Sequence, residues 1–288
     1  MRSPAVAGQF YPASTDKLVK QIENCYKHEL GPHQLPHLSK EPKHKLKGLV
    51  VPHAGYVYSG PIAAHSYLKL AEDGFPDSFI ILGPNHSGFG SLVALTTEDF
   101  MMPLGEVKID QKLAKLLWKG IIDNDFNAHK FEHSIEVQLP FLQHINPDFK
   151  FVPIALAMQD FKTASNVGEI IADAIIQSGL KVVVIASSDF THCGLMYGSM
   201  PKSGMTAGAY AKQQDEKAIK AILSMEPKSL IKNVRQFDIT MCGYGPVIAM
   251  MTAAIKIGAT KSNLVKYASS YDIQPADSAV GYAAIVVE

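Results

Sequence analysis

The sequence predicts an α/β fold: one domain over residues 1–288, with a central, mainly parallel sheet flanked by helices. Three observations support this. Short apolar runs rich in β-branched residues alternate with longer stretches whose apolar residues recur at helical spacing. The strongest run, "KVVVIASSDFTH", is apolar throughout its first half, as expected of a strand buried on both faces. No linker, internal repeat or low-complexity tract divides the chain.

In chain order, an N-terminal helix is followed by "LGPHQLPHLSKEPKHKLK" (30–47), which is rich in Pro, His and Lys and reads as a surface loop. "LKGLVVPH" is a strand, "SGPIAAHSYLKLAED" a helix, and "SFIILGPNH" a second strand, with "SLVALTT" after it. "DQKLAKLLWKGII" has helical spacing, with Asp110 as its cap. "HSIEVQLPFLQHI" reads as helical with a kink or break at Pro140, and "FKFVPIAL" as a strand. "ASNVGEIIADAIIQSG" is a helix closed by Gly179, and it leads into the "KVVVIA" strand. Three helices follow, over 206–225, 227–234 and 246–256, and the chain ends in strand-like "NLVKYASSYD" and "AVGYAAIVVE".

Composition excludes some function classes. Lysine plus arginine and aspartate plus glutamate number 27 each, a balance that suggests neither a nucleic-acid nor a membrane-surface partner. The only arginines are Arg2 and Arg235, so bidentate phosphate recognition has few candidates. Three cysteines make no disulfide framework. With no signal-like apolar region and no run approaching about 20 apolar residues, they point to a cytoplasmic protein.

The chemistry is expected where strands end. "LVVPH" stops at His53, "FIILGPNH" at His86, and "VVVIASSDFTH" at Asp189 and His192. In an open parallel sheet, ligands bind in the crevice beyond the carboxyl ends of the strands, so these side chains can converge there. A lone histidine in such a place is more often a loop residue with a satisfied ring than a ligand. Recurrence at equivalent topological points favours a shared site, with imidazoles and a carboxylate suited to a divalent metal.

Two further blocks join this set. In "TMCGYGP", Cys242 precedes a helix N-terminus, and two glycines permit close backbone approach; amide dipoles and a nearby metal would both favour its thiolate. The alternative is an inert buried thiol, which suits Cys25 better, while Cys193 fits either reading. In "EHSIEVQLPF", His133 and Glu136 lie three apart on one helical face, either contacting the site or capping the helix. His28, His33, His37 and His44 fall in or near the hydrophilic loop, His65 lies within a helix, and His129 and His144 have no motif around them.

Taken together, "VPHAGYVYSG", "ILGPNHSG", "EHSIEVQLPF", "SSDFTHCG" and "MCGYGP" make the chain resemble the Memo family over essentially its whole length. That family is similar in fold to class III extradiol ring-cleaving dioxygenases, which implies an α/β sandwich with a site in a surface cleft. The resemblance implies His53, His86 and Cys242 as metal ligands, with Asp189 and His192 beside them and His192 as the acid/base group. His133 falls in the "HSIE" block. Non-haem iron oxygenases typically use two histidines and a carboxylate, so a thiolate third ligand brings copper or zinc into contention with iron.

The resulting expectation is an iron or copper redox enzyme of dioxygenase type acting on a small molecule. His53, His86 and Cys242 would hold the metal, and His192, Asp189 and His133 would serve catalysis. One alternative is a non-catalytic module that grips a short phosphotyrosine-type peptide in the same cleft, a role linked to animal members of the family. A weaker one is a zinc hydrolase.

Overall fold

The computed structural model describes residues 1–288. The first elements are α1 (Thr15–Lys27), β1 (Gly48–Val51), α2 (Tyr56–Asp73), β2 (Ser78–Pro84), β3 (Val93–Leu95), β4 (Phe100–Met102) and β5 (Gly105–Ile109). Next come α3 (Gln111–Leu117), β6 (Asp123–Asn124), α4 (Asn127–Lys130), a single 3-10 turn (Glu136–Gln138), α5 (Leu139–Ile145) and β7 (Lys150–Leu156). The remainder is α6 (Phe161–Ser178), β8 (Val182–Ser187), β9 (His192–Cys193), a further 3-10 turn (Leu195–Tyr197), α7 (Ala207–Leu223), α8 (Pro227–Gln236), α9 (Tyr244–Lys256), β10 (Ser262–Ser269), α10 (Ser270–Ile273) and β11 (Ala279–Val287).

The sheet order is β10-β11-β1-β8-β2-β7-β3-β6. Its centre is parallel: β8 pairs with β1 on one side and β2 on the other, and β2 pairs with β7. β1, β2 and β8 are buried at every position, consistent with strands covered on both faces. Helix α2 lies against β1, β10 and β11, while α9 packs on β1, β2 and β8 with α6 behind it. A core of 76 residues joins these layers. Each fully buried Val or Ile in it contributes about 1.5–3 kcal/mol relative to exposure.

The α/β expectation holds, with differences at the margins. Beyond the parallel centre the sheet is mixed, because β11 runs antiparallel to β1 and β10, and β3 antiparallel to β7. The β4–β5 hairpin has no counterpart in the sequence reading; its strands are only 3 and 5 residues long, too short for a periodicity signal. Pro140 does not kink a long helix. It falls in the first turn of α5, where its missing N–H costs nothing, and the preceding residues form only a 3-10 turn. Caps fall where side-chain chemistry places them: the Asp110 carboxylate accepts from the Leu113 N–H, and Gly179 ends α6 in the left-handed region at φ 66°. No helix is long and apolar enough to cross a membrane.

Because β1, β2 and β8 are parallel, their carboxyl ends open on one edge. The residues that follow them, His53, His86, Asp189 and His192, therefore meet although they span 140 positions of chain.

Candidate metal cleft

A cleft of about 570 Å³ lies at that edge, lined by His53, His86, His133, Asp189 and His192, with Phe10, Tyr58, Tyr197 and Tyr282 among its walls. The ligand nitrogens of His53, His86 and His133 all lie within 4.8 Å of one another. The three rings form a gradient from interior to opening: His53 is 2% exposed as a residue, and the side chains of His133 and His86 are 20% and 35% exposed.

What makes these rings more than neighbours is how their other nitrogens are held. Tyr67 donates its hydroxyl to Gln138 Oε1 (2.6 Å), which makes Gln138 Nε2 a donor, and that nitrogen points at Ser187 Oγ (2.8 Å). Ser187 gives its own proton to the Ser134 carbonyl (2.7 Å). The hydroxyl therefore accepts from His53 Nδ1–H at 2.8 Å, and His53 Nε2 is left with its lone pair. His86 Nδ1 lies 3.0 Å from Glu132 Oε1, and an ionised carboxylate only accepts, so Nε2 is again free. His133 Nδ1 is 3.6 Å from the same oxygen, an electrostatic contact rather than a hydrogen bond. A carboxylate behind a ligating imidazole fixes its tautomer and raises its basicity.

Glu132 is thus the residue that organises the site. Beyond the rings it accepts the backbone N–H groups of His86, His133 (2.9 Å) and Ser134 (2.8 Å). Burial works to raise its pKa, but the His86 hydrogen bond, the two imidazoles and the Ser134 amide prevail and hold it at about 2. Burial and the neighbouring histidines push His53 well below its ordinary value, and burial together with His86 takes His133 to about 4 despite Glu132. Both rings are neutral near pH 7, the form that can ligate.

Cys242 is brought to this group at its edge. Its Sγ lies 3.2 Å from His53 Nε2, 3.3 Å from the Asp189 N–H and 3.5 Å from the Asp189 carbonyl. Close approach here depends on Gly243, where an added Cβ would fall 2.5 Å from the Ser187 carbonyl oxygen. The expectation that helix dipoles favour the thiolate is outweighed, because burial and the Asp189 carboxylate drive the thiol well above its ordinary range. It stays protonated until a cation compensates that charge. Cys25 is buried, with its thiol pushed up to about 12 by desolvation, and Cys193 is buried with Sγ toward the Ala207 carbonyl.

Asp189 and His192 face the cleft from the β8 end. Asp189 Oδ1 accepts the His53 N–H at 2.7 Å, and burial raises its carboxyl despite the opposing His192 and that hydrogen bond. His192 Nδ1 lies 2.9 Å from the Phe190 carbonyl and 3.0 Å from that of Thr240, so it carries the proton and Nε2 is the free nitrogen. Its backbone is pinned by Thr240 Oγ1 and by pairing opposite Val280. Glu136, read as sharing a face with His133, instead turns inward to Arg2 and Tyr11, because the segment is a 3-10 turn and not a regular helix. Sequence reasoning assigned no role to Glu132, Ser187 or Gln138. The available signal was the acidic residue adjoining His133 in "EHS", the kind of partner a ligating histidine needs.

Fold and cleft together define an α/β protein with a strand-end histidine cluster that could hold a metal ion. The family described as Memo-like protein matches residues 2–286. MEMO1 family proteins from three organisms align end to end. That of Methanopyrus kandleri is 47% identical, covering 99% of this chain and 98% of the relative. Those of Methanococcoides burtonii and Methanocaldococcus jannaschii are each 46% identical, covering all of this chain and 100% and 99% of theirs. The chain belongs to the Memo-like family. A crystal structure of an uncharacterized protein from Escherichia coli K12 shares the fold, with a TM-score of 0.53, 15% identity, and coverage of 84% of this chain and 99% of that one.

Proposed function

We propose that this protein is a metal-dependent redox enzyme of dioxygenase type, with its metal held by His53, His86 and His133 and with Cys242 placed to take a further position. The observation that carries this is the orientation of the imidazoles: Ser187 and Glu132 engage Nδ1 of His53 and His86, leaving Nε2 lone pairs in one cluster. Donor chemistry fits the group. Imidazole suits iron, copper and zinc alike, and the Sγ–Nε2 separation of 3.2 Å suits two ligand atoms on one centre. A bound iron or copper would supply Lewis acidity and electron transfer, and iron is our first assignment. The 3.2 Å approach of Cys242 Sγ to His53 Nε2 makes Cys242 our choice over Asp189 as the added ligand.

The remaining residues bind substrate and move protons. His192, with Nδ1 committed to carbonyls, offers Nε2 to accept a proton from a substrate hydroxyl and return it to product. Asp189, buried beside it, steadies the imidazolium formed meanwhile. Phe10, Tyr58, Tyr197 and Tyr282 provide flat walls for a substrate to pack against, and the cleft volume suits a small molecule or a short peptide segment.

Zinc-assisted hydrolysis is the second reading, favoured by the three-imidazole donor set itself. A phosphotyrosine-type reader is disfavoured: neither Lys nor Arg lines the cleft, and Arg2 is buried against Glu136. Metal content after anaerobic purification, with the oxygen dependence of any turnover, separates these readings. Stoichiometric iron or copper with oxygen-dependent chemistry supports the first, and zinc with oxygen-independent hydrolysis supports the second. Full-occupancy metal surviving His53→Ala, His86→Ala and His133→Ala together would sink both.

A further inference from the structure

One of the chain's two arginines is buried at its start. Arg2 is 1% exposed, and its backbone is fixed beside β4, donating to the Asp99 carbonyl and accepting from the Met101 N–H, both at 2.8 Å. From there its guanidinium reaches three points along the segment that carries Glu132 and His133. Nε donates to the His129 carbonyl (2.7 Å) and Nη2 to the Glu132 carbonyl (2.6 Å). Nη1 lies 2.6 Å from Glu136 Oε2, off the ideal hydrogen-bond line, so Coulombic attraction dominates that contact. The plane sits 4.6 Å over the Phe100 ring.

Glu136 completes the grip from the other side. Its carboxylate accepts the N–H groups of Ala5 (2.7 Å) and Val6 (3.1 Å) and the Tyr11 hydroxyl (2.5 Å). Phe10, in the same N-terminal segment, packs its ring 4.8 Å from His133, and its carbonyl accepts the Tyr56 N–H at the start of α2. The segment between α4 and the 3-10 turn has no sheet ladder of its own to hold it. Its shape is set by these contacts and by the amides that converge on the Glu132 carboxylate.

We infer that residues 2–11 form a strap in which Arg2, through Glu136 and the His129 and Glu132 carbonyls, positions His133 and Glu132 in the metal cleft. Arg2 touches neither metal nor substrate and is a positioning residue; its effect on metal binding rests on the ligand assignment above, while its effect on the His133 ring does not. Lysine cannot replace it, because a single ammonium lacks the planar fork that serves three separated acceptors.

The test compares wild type with Arg2→Lys, which keeps the charge facing Glu136 and loses the fork. Imidazole resonances of metal-free protein are followed by long-range proton–nitrogen NMR, and Zn2+ affinity by competition with a chelator. We expect the His133 resonances to shift or broaden while those of His192 stay, and Zn2+ affinity to fall about tenfold, the lower range for loss of outer-shell support. Ile175→Val, a core change remote from the cleft, should reduce stability without either effect. Should Arg2→Lys not fold, Tyr11→Phe, which removes one hydroxyl from Glu136, carries the same two readouts with smaller changes. A folded variant with unmoved His133 resonances overturns the strap. Wild type that binds no Zn2+ overturns the ligand assignment instead, and the metal-free NMR still decides the strap.

Discussion

Two regions of this chain are rich in histidine, and they differ in what holds the rings. His28, His33, His37 and His44 lie in or beside the 30–47 stretch, exposed or half-buried, with His33 and His44 in left-handed backbone at φ 59° and 50°. His53, His86, His133 and His192 lie in the cleft, and in three of them a serine, a carboxylate or backbone carbonyls fix which nitrogen is free. Histidine count is similar in the two regions; preorganisation is not. A cation at the loop would have to order the exposed His33 and His37 side chains, whereas in the cleft much of that entropic cost is met by folding.

The largest effect expected from this contrast is on metal affinity. His53→Ala with His86→Ala should weaken Zn2+ binding by more than about 100-fold, beyond the range for outer partners, while His33→Ala with His37→Ala should leave it unchanged. Chelator competition measures both; comparable losses in the two pairs would erase the distinction. Glu132→Gln keeps the size of the side chain but removes its charge. It should cost about 10–100-fold in the same assay, and an effect within twofold would show that Glu132 is no more than a loop anchor.

Cys242 sharpens the comparison, because it is the one soft donor at the cluster. Co2+-loaded protein should show a near-ultraviolet thiolate-to-cobalt band that Cys242→Ser abolishes, with affinity reduced about tenfold. A band that persists in the variant, or one absent from wild type, would confine the ligand set to the three imidazoles.

One further effect is on stability rather than metal affinity and lies outside the cleft. Asp215 is buried under Gly281, with Oδ1 accepting the Thr191 N–H and Oδ2 the Tyr267 hydroxyl, both at 2.8 Å. Burial, only partly offset by those bonds, raises its pKa from 3.8 to about 7. The folded state then holds a proton that the unfolded state has released, so stability should fall as pH rises from about 4 to 7 and level off above, by up to about 4 kcal/mol. Asp215→Asn should flatten that slope in denaturant titrations, since the amide can still accept from Thr191 and donate to Tyr267. An unchanged slope would place the titration elsewhere.

Much of this was legible in the sequence for a physical reason. Strands buried on both faces announce themselves as apolar runs, and the residues just after each run fall at the crevice, so the sequence alone brings His53, His86, Asp189 and His192 together. His133 was harder, since its position depends on an irregular turn held by residues 125 to 130 positions away in sequence, Tyr11 and Arg2. Ser187 was missed because its role arises from long-range hydrogen bonds that carry no local spacing, and Glu132 because its hold on His86 is long-range, although its place beside His133 was a local signal. The β4–β5 hairpin and the antiparallel outer strands follow from tertiary pairing rather than periodicity.

X-ray absorption at the metal edge of anaerobically iron-loaded protein tests the central claim most directly. The expected spectrum shows outer-shell scattering from imidazoles, which is lost together with bound iron after His53→Ala, His86→Ala and His133→Ala and retained after His33→Ala with His37→Ala. Iron bound through oxygen donors alone, with a spectrum the triple change does not alter, would contradict it.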